Sequence, residues 1–248
     1  MIGRPLLLAL GLLTTLPVPR VADPREREIG LSVLWYPLVG AILGVMMWGL
    51  AVCAAAWPGD LVALGILLLW LMATGGLHLE GLGDLADAWV GGLSGGPERM
   101  LAIMKDPRAG PMAVMAICMQ LLCKGVAIHN LLQLHAFVVL GVAPVIGRTM
   151  MVALMLSTPY VRPEGMGAVA VRALPKNAGW WVVGVTSLAI AFLSQPSLAW
   201  SVLATGISLM TLRALILRRL HGVTGDVLGA SCELSETIFL LVTVLLLF

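Results

Sequence analysis

The chain has 248 residues, of which 60% are hydrophobic and 11% charged, with a formal net charge of +2 and a mean hydropathy of +1.00. A soluble domain carries about 25% charged residues, so the composition excludes one and implies an all-α, polytopic helical membrane protein of about six to seven transmembrane helices. The small net charge gives no footing for nucleic-acid binding.

In chain order, residues 4–20 (RPLLLALGLLTTLPVPR) resemble a signal peptide, but no small-x-small cleavage site follows and Pro17 and Pro19 end the run. Its apolar stretch falls short of the roughly 20 residues a span needs, so a retained short N-terminal helix is expected. Long apolar runs follow near 31–57, 61–79, 111–131, 134–156, 180–195 and 198–217, with a shorter one at 235–248. The last can span only if its helix begins inside the polar stretch before it. Polar stretches at 18–30, 80–110, 157–179 and 218–234 alternate with tight turns at Pro58-Gly59-Asp60, Asn130 to His135 and Gln195-Pro196-Ser197. A serpentine of helices would put every polar stretch on one side of the bilayer. Of the 15 Lys and Arg, 11 fall in those stretches and none in the tight turns, so the polar side is expected to be cytoplasmic. We read residues 1–248 as a single integral-membrane catalytic domain in a bacterial-type inner membrane.

Carboxylates are scarce and clustered. Glu80, Asp84 and Asp87 occupy one polar stretch, and Asp226, Glu233 and Glu236 another, six of the 13 acidic residues of the chain. On a helix the spacings i, i+4, i+7 (from Glu80) and i, i+7 (from Asp226) stack carboxylates on one face. Like charges so placed repel unless a cation offsets them, and Mg²⁺ is the natural hard cation for oxygen ligands that also bridges to phosphates. Arg99, Lys105 and Arg108 follow the first cluster. Acids for a metal with bases for phosphate oxygens are the equipment of phosphoryl transfer; a solvated loop of mixed charge is the plainer alternative.

Lys124 and Arg148 lie inside apolar runs, where a charge faces the bundle interior with a partner or snorkels to the interface. His78 and His221 each stand a few residues ahead of an acidic cluster and could act as a base or simply hydrogen-bond a carboxylate. His129 and His135 fall in the opposite turn. Cys53, Cys118, Cys123 and Cys232 have neither metal nor disulfide spacing and read as small buried hydrophobes. Gly40 and Gly44 form one GxxxG pair, which allows close helix approach.

Residues 74–110, TGGLHLEGLGDLADAWVGGLSGGPERMLAIMKDPRAG, closely resemble the signature of the cobalamin synthase (adenosylcobinamide-GDP ribazoletransferase) family, as do residues 224–236, TGDVLGASCELSE, and 160–167, YVRPEGMG. The likeness covers nearly the whole chain. It implies a Mg²⁺-dependent transfer in which α-ribazole or its 5′-phosphate, acting through the 5′-hydroxyl or an equivalent nucleophile, is joined to adenosylcobinamide-GDP with release of GMP. On that footing Glu80, Asp84, Asp87, Asp226 and Glu233 are the candidate Mg²⁺ ligands. Lys105, Arg108, Arg148 and Arg162 are the candidate substrate-binding cations, and His78, Asp84 and Asp87 the candidate catalytic residues. The expected partners are the two substrates and the lipid bilayer, with room for a homo-oligomer or for other cobalamin-pathway enzymes. The chain departs from the family pattern at Glu80, where an Asp is usual, at Ala88, where a Gly is usual, and at the AGPMA stretch after Arg108.

Two rival classes also combine acids with apolar helices. A cation transporter would place its carboxylates near mid-membrane, whereas both clusters lie at the ends of apolar runs. A CDP-alcohol phosphotransferase needs DxxDGxxAR, but here Asp84 and Asp87 are followed by Ala88 and no Ala-Arg.

Overall fold

The computed structural model describes residues 3–193 and 196–248; Gln195, where the expected Gln195-Pro196-Ser197 turn begins, lies outside them. All regular structure among the described residues is helical. Helix α1 (Gly3–Leu13) precedes α2 (Glu26–Ser32), which continues through one 3-10 turn into α3 (Tyr36–Cys53). Then come α4 (Gly59–Thr74), α5 (Leu77–Gly91), α6 (Gly96–Ile103), α7 (Pro111–Gln133) and α8 (Phe137–Ser157). The order ends with α9 (Met166–Ala173), α10 (Lys176–Ala191), α11 (Pro196–Leu220) and α12 (Gly225–Leu247).

Five helical segments are long and apolar enough to cross a bilayer, and six if the bent pair α4–α5 counts as one broken span. The protein is thus an all-α, multi-pass membrane protein. The N-terminal helix is short as expected, at 11 residues. Helix α12 does begin inside the second acidic motif, which gives the C-terminal apolar run its spanning length. Within the run expected near 180–195, the 16-residue α10 ends at Ala191 and packs on α8 and α11.

The apolar run expected over 61–79 is broken. Gly75 and Gly76 both adopt left-handed backbone (φ 63° and 70°), and α5 leaves α4 at 87°. Only glycine takes two such residues in succession at little cost. The first acidic motif therefore rides on its own helix, turned across the end of the bundle.

In a bilayer the hydrophobic effect does not drive helices together, so close packing of small residues and internal polar pairs do. Two seams show this. Gly40 and Gly44 of α3 lie against Pro144 and Gly141 of α8, so near that a Cβ on Gly44 would overlap the Gly141 carbonyl. Helix α8 is the central element: 78% of its most apolar stretch is buried, against 22% for α11 at the periphery. The second seam joins α5 to α12. A Cβ on Gly81 would stand 2.7 Å from the Asp226 carbonyl oxygen, and one on Gly229 would stand 3.1 Å from the His78 Cα. That seam brings the two acidic motifs together. The tight turns after α3 and α7 meet at the other end of the bundle, around Trp57, Gln133 and His135.

Candidate active site

A cavity of about 280 Å³ opens where α5 and α12 meet, closed by α1, α2, α8 and α9. Its polar wall carries His78, Glu80, Asp84 and Asp226. Asp226 occupies the first turn of α12, whose cap Thr224 accepts a hydrogen bond from the Val227 amide at 3.3 Å. The segment after α8 is held beside that cap by a parallel bridge between Tyr160 and Val223. Its backbone bonds, Val161 N to Val223 O at 2.9 Å and Val223 N to Pro159 O at 2.8 Å, deliver Arg162 to the site. The Arg162 guanidinium donates to Asp226 Oδ2 at 2.8 Å, while its Nε has no partner among the described residues. The negative charges of Asp226, Glu80 and Asp87 all bear on Asp84, and Arg162 supplies a counter-charge there. His78 is almost fully buried, at 3% exposure, and neither ring nitrogen finds a hydrogen-bond partner among the described residues. Tyr160 completes the wall; burial pushes its phenol above the usual range, so it remains a hydroxyl donor.

The structure does not bring the other expected residues to this cavity. Asp87, on the same helix face, is already engaged: its two carboxylate oxygens accept from Gly110 N at 2.6 Å and Ala113 N at 3.0 Å, capping the start of α7. Glu233 lies inside the bundle and accepts from Lys124 Nζ at 2.6 Å and from the Gln120 amide at 3.0 Å. Lys124 also donates to Glu236 at 2.7 Å and sits 4.4 Å from the centre of the Trp70 ring. Arg148, with no exposed surface, pairs with the other oxygen of Glu236. Two cations and two anions thus close on one another, as charges buried in a membrane must. Lys105 and Arg108 are exposed, and Arg108 donates to Asp106 at 3.0 and 2.8 Å, which holds the Asp106 carboxyl down to about 2. His221 is exposed in left-handed backbone (φ 60°) away from the cavity, and His129 meets Asp60 at 3.0 Å at the opposite end of the bundle.

Sequence reasoning passed over three residues of this region. Tyr36 and Tyr160 both line the cavity and are the only 2 tyrosines in the chain; that scarcity was a usable signal. Gln120, an amide in an apolar run, was the other, since such a group needs internal partners.

Among the described residues no three His, Cys, Asp or Glu side chains converge tightly enough to enclose a metal by themselves. The donor set still fits Mg²⁺. Glu80, Asp84 and Asp226 are oxygen donors on one cavity wall, and Mg²⁺ is typically held by one or two carboxylates plus substrate phosphates rather than by an all-protein cage.

Paired acids, a free imidazole and an arginine gathered at one end of a helical membrane bundle define an integral-membrane transferase. The family model for cobalamin-5-phosphate synthase matches residues 5–244. The chain belongs to that family. It is 44% identical over 237 residues to the adenosylcobinamide-GDP ribazoletransferase of Pseudomonas fluorescens, covering 96% of this chain and 97% of the relative. A protein of the same name from Pseudomonas savastanoi pv. phaseolicola is 43% identical over 242 residues, covering 98% and 99%. That of Ectopseudomonas mendocina is 44% identical over 235 residues, covering 94% and 96%. No solved structure matches the chain.

Proposed function

We propose that this protein joins α-ribazole, or its 5′-phosphate, to adenosylcobinamide-GDP with release of GMP, at a site facing the cytoplasm across a bacterial inner membrane. The observation that carries the reading is the cavity wall on which His78, Glu80, Asp84 and Asp226 meet, in a chain that aligns over nearly its whole length with relatives so named. Charge asymmetry supports the orientation, since the polar stretches that surround the cavity hold most of the Lys and Arg.

A product that carries a 5-phosphate, as the family's description has it, keeps the ribose 5′ position occupied. The attacking oxygen is then another ribose hydroxyl, not the 5′-hydroxyl anticipated from the sequence. That oxygen forms a bond to the phosphorus next to cobinamide, the bond from that phosphorus to the GMP phosphate breaks, and GMP leaves with the bridging oxygen. The proton of the hydroxyl passes to a ring nitrogen of His78, both of which are unengaged. Arg162, with Nε free, sets positive charge against the pyrophosphate. Glu80, Asp84 and Asp226 would hold Mg²⁺. When bound, the ion would neutralise phosphate charge that builds on the leaving group. Lys105 and Arg108 are exposed on the loop that Asp87 tethers and would be cations for the nucleotide phosphates if the substrate reaches that loop.

Purified protein in lipid with Mg²⁺ and both substrates should release GMP, and Asp84→Asn should abolish the release. Folded, lipid-embedded protein that never yields GMP would sink the reading.

A further inference from the structure

One charged side chain of α11 is spent on backbone rather than on an acid. Arg213 lies about two turns before the end of α11, in a segment apolar enough to cross the bilayer. A charge in such a segment is costly and is functional by default. Arg213 is half-buried, and among the described residues its hydrogen bonds go to a single atom. Its Nε and Nη2 donate to the Ser157 carbonyl oxygen at 3.1 and 2.6 Å.

That carbonyl is the last of α8. The helix stops there because Thr158 turns to extended backbone (φ −136°, ψ 134°), the conformation favoured by a residue before proline. The final carbonyls of a helix lack intrahelical partners, and a cation there also complements the helix dipole. From Ser157 the chain runs as a strap through Pro159 and Tyr160 to Arg162, the residue that meets Asp226. The strap is gripped a second time by the chain that follows α11, through the paired backbone bonds between Val223 and Pro159 and Val161. Gly222 permits that approach, since a Cβ on it would overlap the Pro159 carbonyl. Helix α11 and its extension thus hold the strap at two points, Arg213 at its start and Val223 at its middle.

We infer that Arg213 is a positioning residue for the transfer: by pinning the Ser157 carbonyl it fixes where the strap begins, and so where Arg162 stands against the pyrophosphate. The inference rests on the transferase reading above and adds a residue that touches neither substrate nor cavity. Two observations carry it. The only other hold on the strap is one isolated parallel bridge, and strand pairing that short is marginal by itself. In addition, any neutral amide could serve a carbonyl, so a full charge kept in an apolar helix points to the need for a firmer bond. A charge-assisted hydrogen bond is roughly twice as strong as a neutral one. Without it the last turn of α8 frays, as helix ends do, and Arg162 shifts with it.

The test uses full-length protein in lipid and reads structure and turnover separately. In Arg213→Met, hydrogen exchange over residues 158–162 should quicken about tenfold while the interior of α8 keeps its wild-type protection. GMP release by the same variant should fall about 10²-fold in kcat, the scale for a displacement near 1 Å, with KM for α-ribazole within about twofold of wild type. The decisive comparison is with Arg162→Gln. Sites that are far apart and independent give losses that multiply, whereas coupled sites do not. The double variant Arg162→Gln with Arg213→Met should therefore release GMP within about threefold of Arg162→Gln alone. Arg213→Lys, which keeps the charge and one donor, should fall between wild type and Arg213→Met, and it carries the same comparison if Arg213→Met does not fold. The inference is overturned if exchange over 158–162 is unmoved, if the two losses multiply, or if the Arg213 variants lose melting temperature but keep wild-type kcat. Absence of GMP release from folded wild type, with the exchange difference present, strikes the transferase reading and leaves the anchoring of the strap by Arg213 standing.

Discussion

Asp84 and Asp87 lie less than one helical turn apart, yet their surroundings assign them opposite work. Asp84 faces a cavity and other acids; Asp87 is engaged by two backbone amides of the α7 start. Replacing Asp87 by Ala should therefore cost about 0.5–2 kcal/mol of stability, as loss of a helix cap does, seen as a lower melting temperature in detergent. Asp84→Asn should leave the melting temperature unchanged while abolishing GMP release. His78→Ala should lower kcat by roughly 10²–10⁴-fold, the range for loss of a general base, read as the rate of GMP release. The sequence spacing placed all three acids of the first motif on one side of a helix, and that was sound as far as it went. It could not show that the loop at 105–110 folds back and claims Asp87.

At the scale of elements, the second motif shows why periodicity overreached. Asp226 and Glu233 are two turns apart, which is about 10 Å of rise along α12, too far for both to reach one ion whose ligand distances are about 2 Å. Glu233 instead joins the Lys124–Glu236–Arg148 group at 2.6 Å from Lys124. That grouping was half legible: charges in apolar runs call for partners, but sequence alone could not choose between substrate and other side chains. Because each charge now offsets another, Lys124→Met should destabilise the fold by about 3–5 kcal/mol, with aggregation on extraction as the readout. The double change Lys124→Met with Glu233→Gln should recover much of that loss. The seam of α3 on α8 makes a parallel case: Gly44→Leu meets the Gly141 carbonyl and should lower the yield of folded protein.

For the molecule as a whole, the alternation of polar stretches and tight turns was the most informative property of the sequence. Polar stretches from both halves of the chain do surround one cavity, and the described turns do meet at the other end. What was illegible was the break at Gly75-Gly76, because an apolar run reads as continuous hydropathy even where the backbone turns by 87°. A reporter fused after Gly95 should read as cytoplasmic and one inserted at Trp57 as extracytoplasmic; the reverse result would overturn the orientation. Chelation of divalent cations should stop GMP release, and Mg²⁺ should restore it.

That break also sets the depth of the reaction. Helix α4 has 16 residues, about 24 Å at 1.5 Å per residue, against a hydrocarbon core of about 30 Å. An element that short meets the bilayer by thinning it or by drawing its end below the headgroups. The crosswise acidic helix would then sit in a dimple of the membrane surface, and the reaction rate should follow bilayer thickness, faster in short-chain lipids than in long.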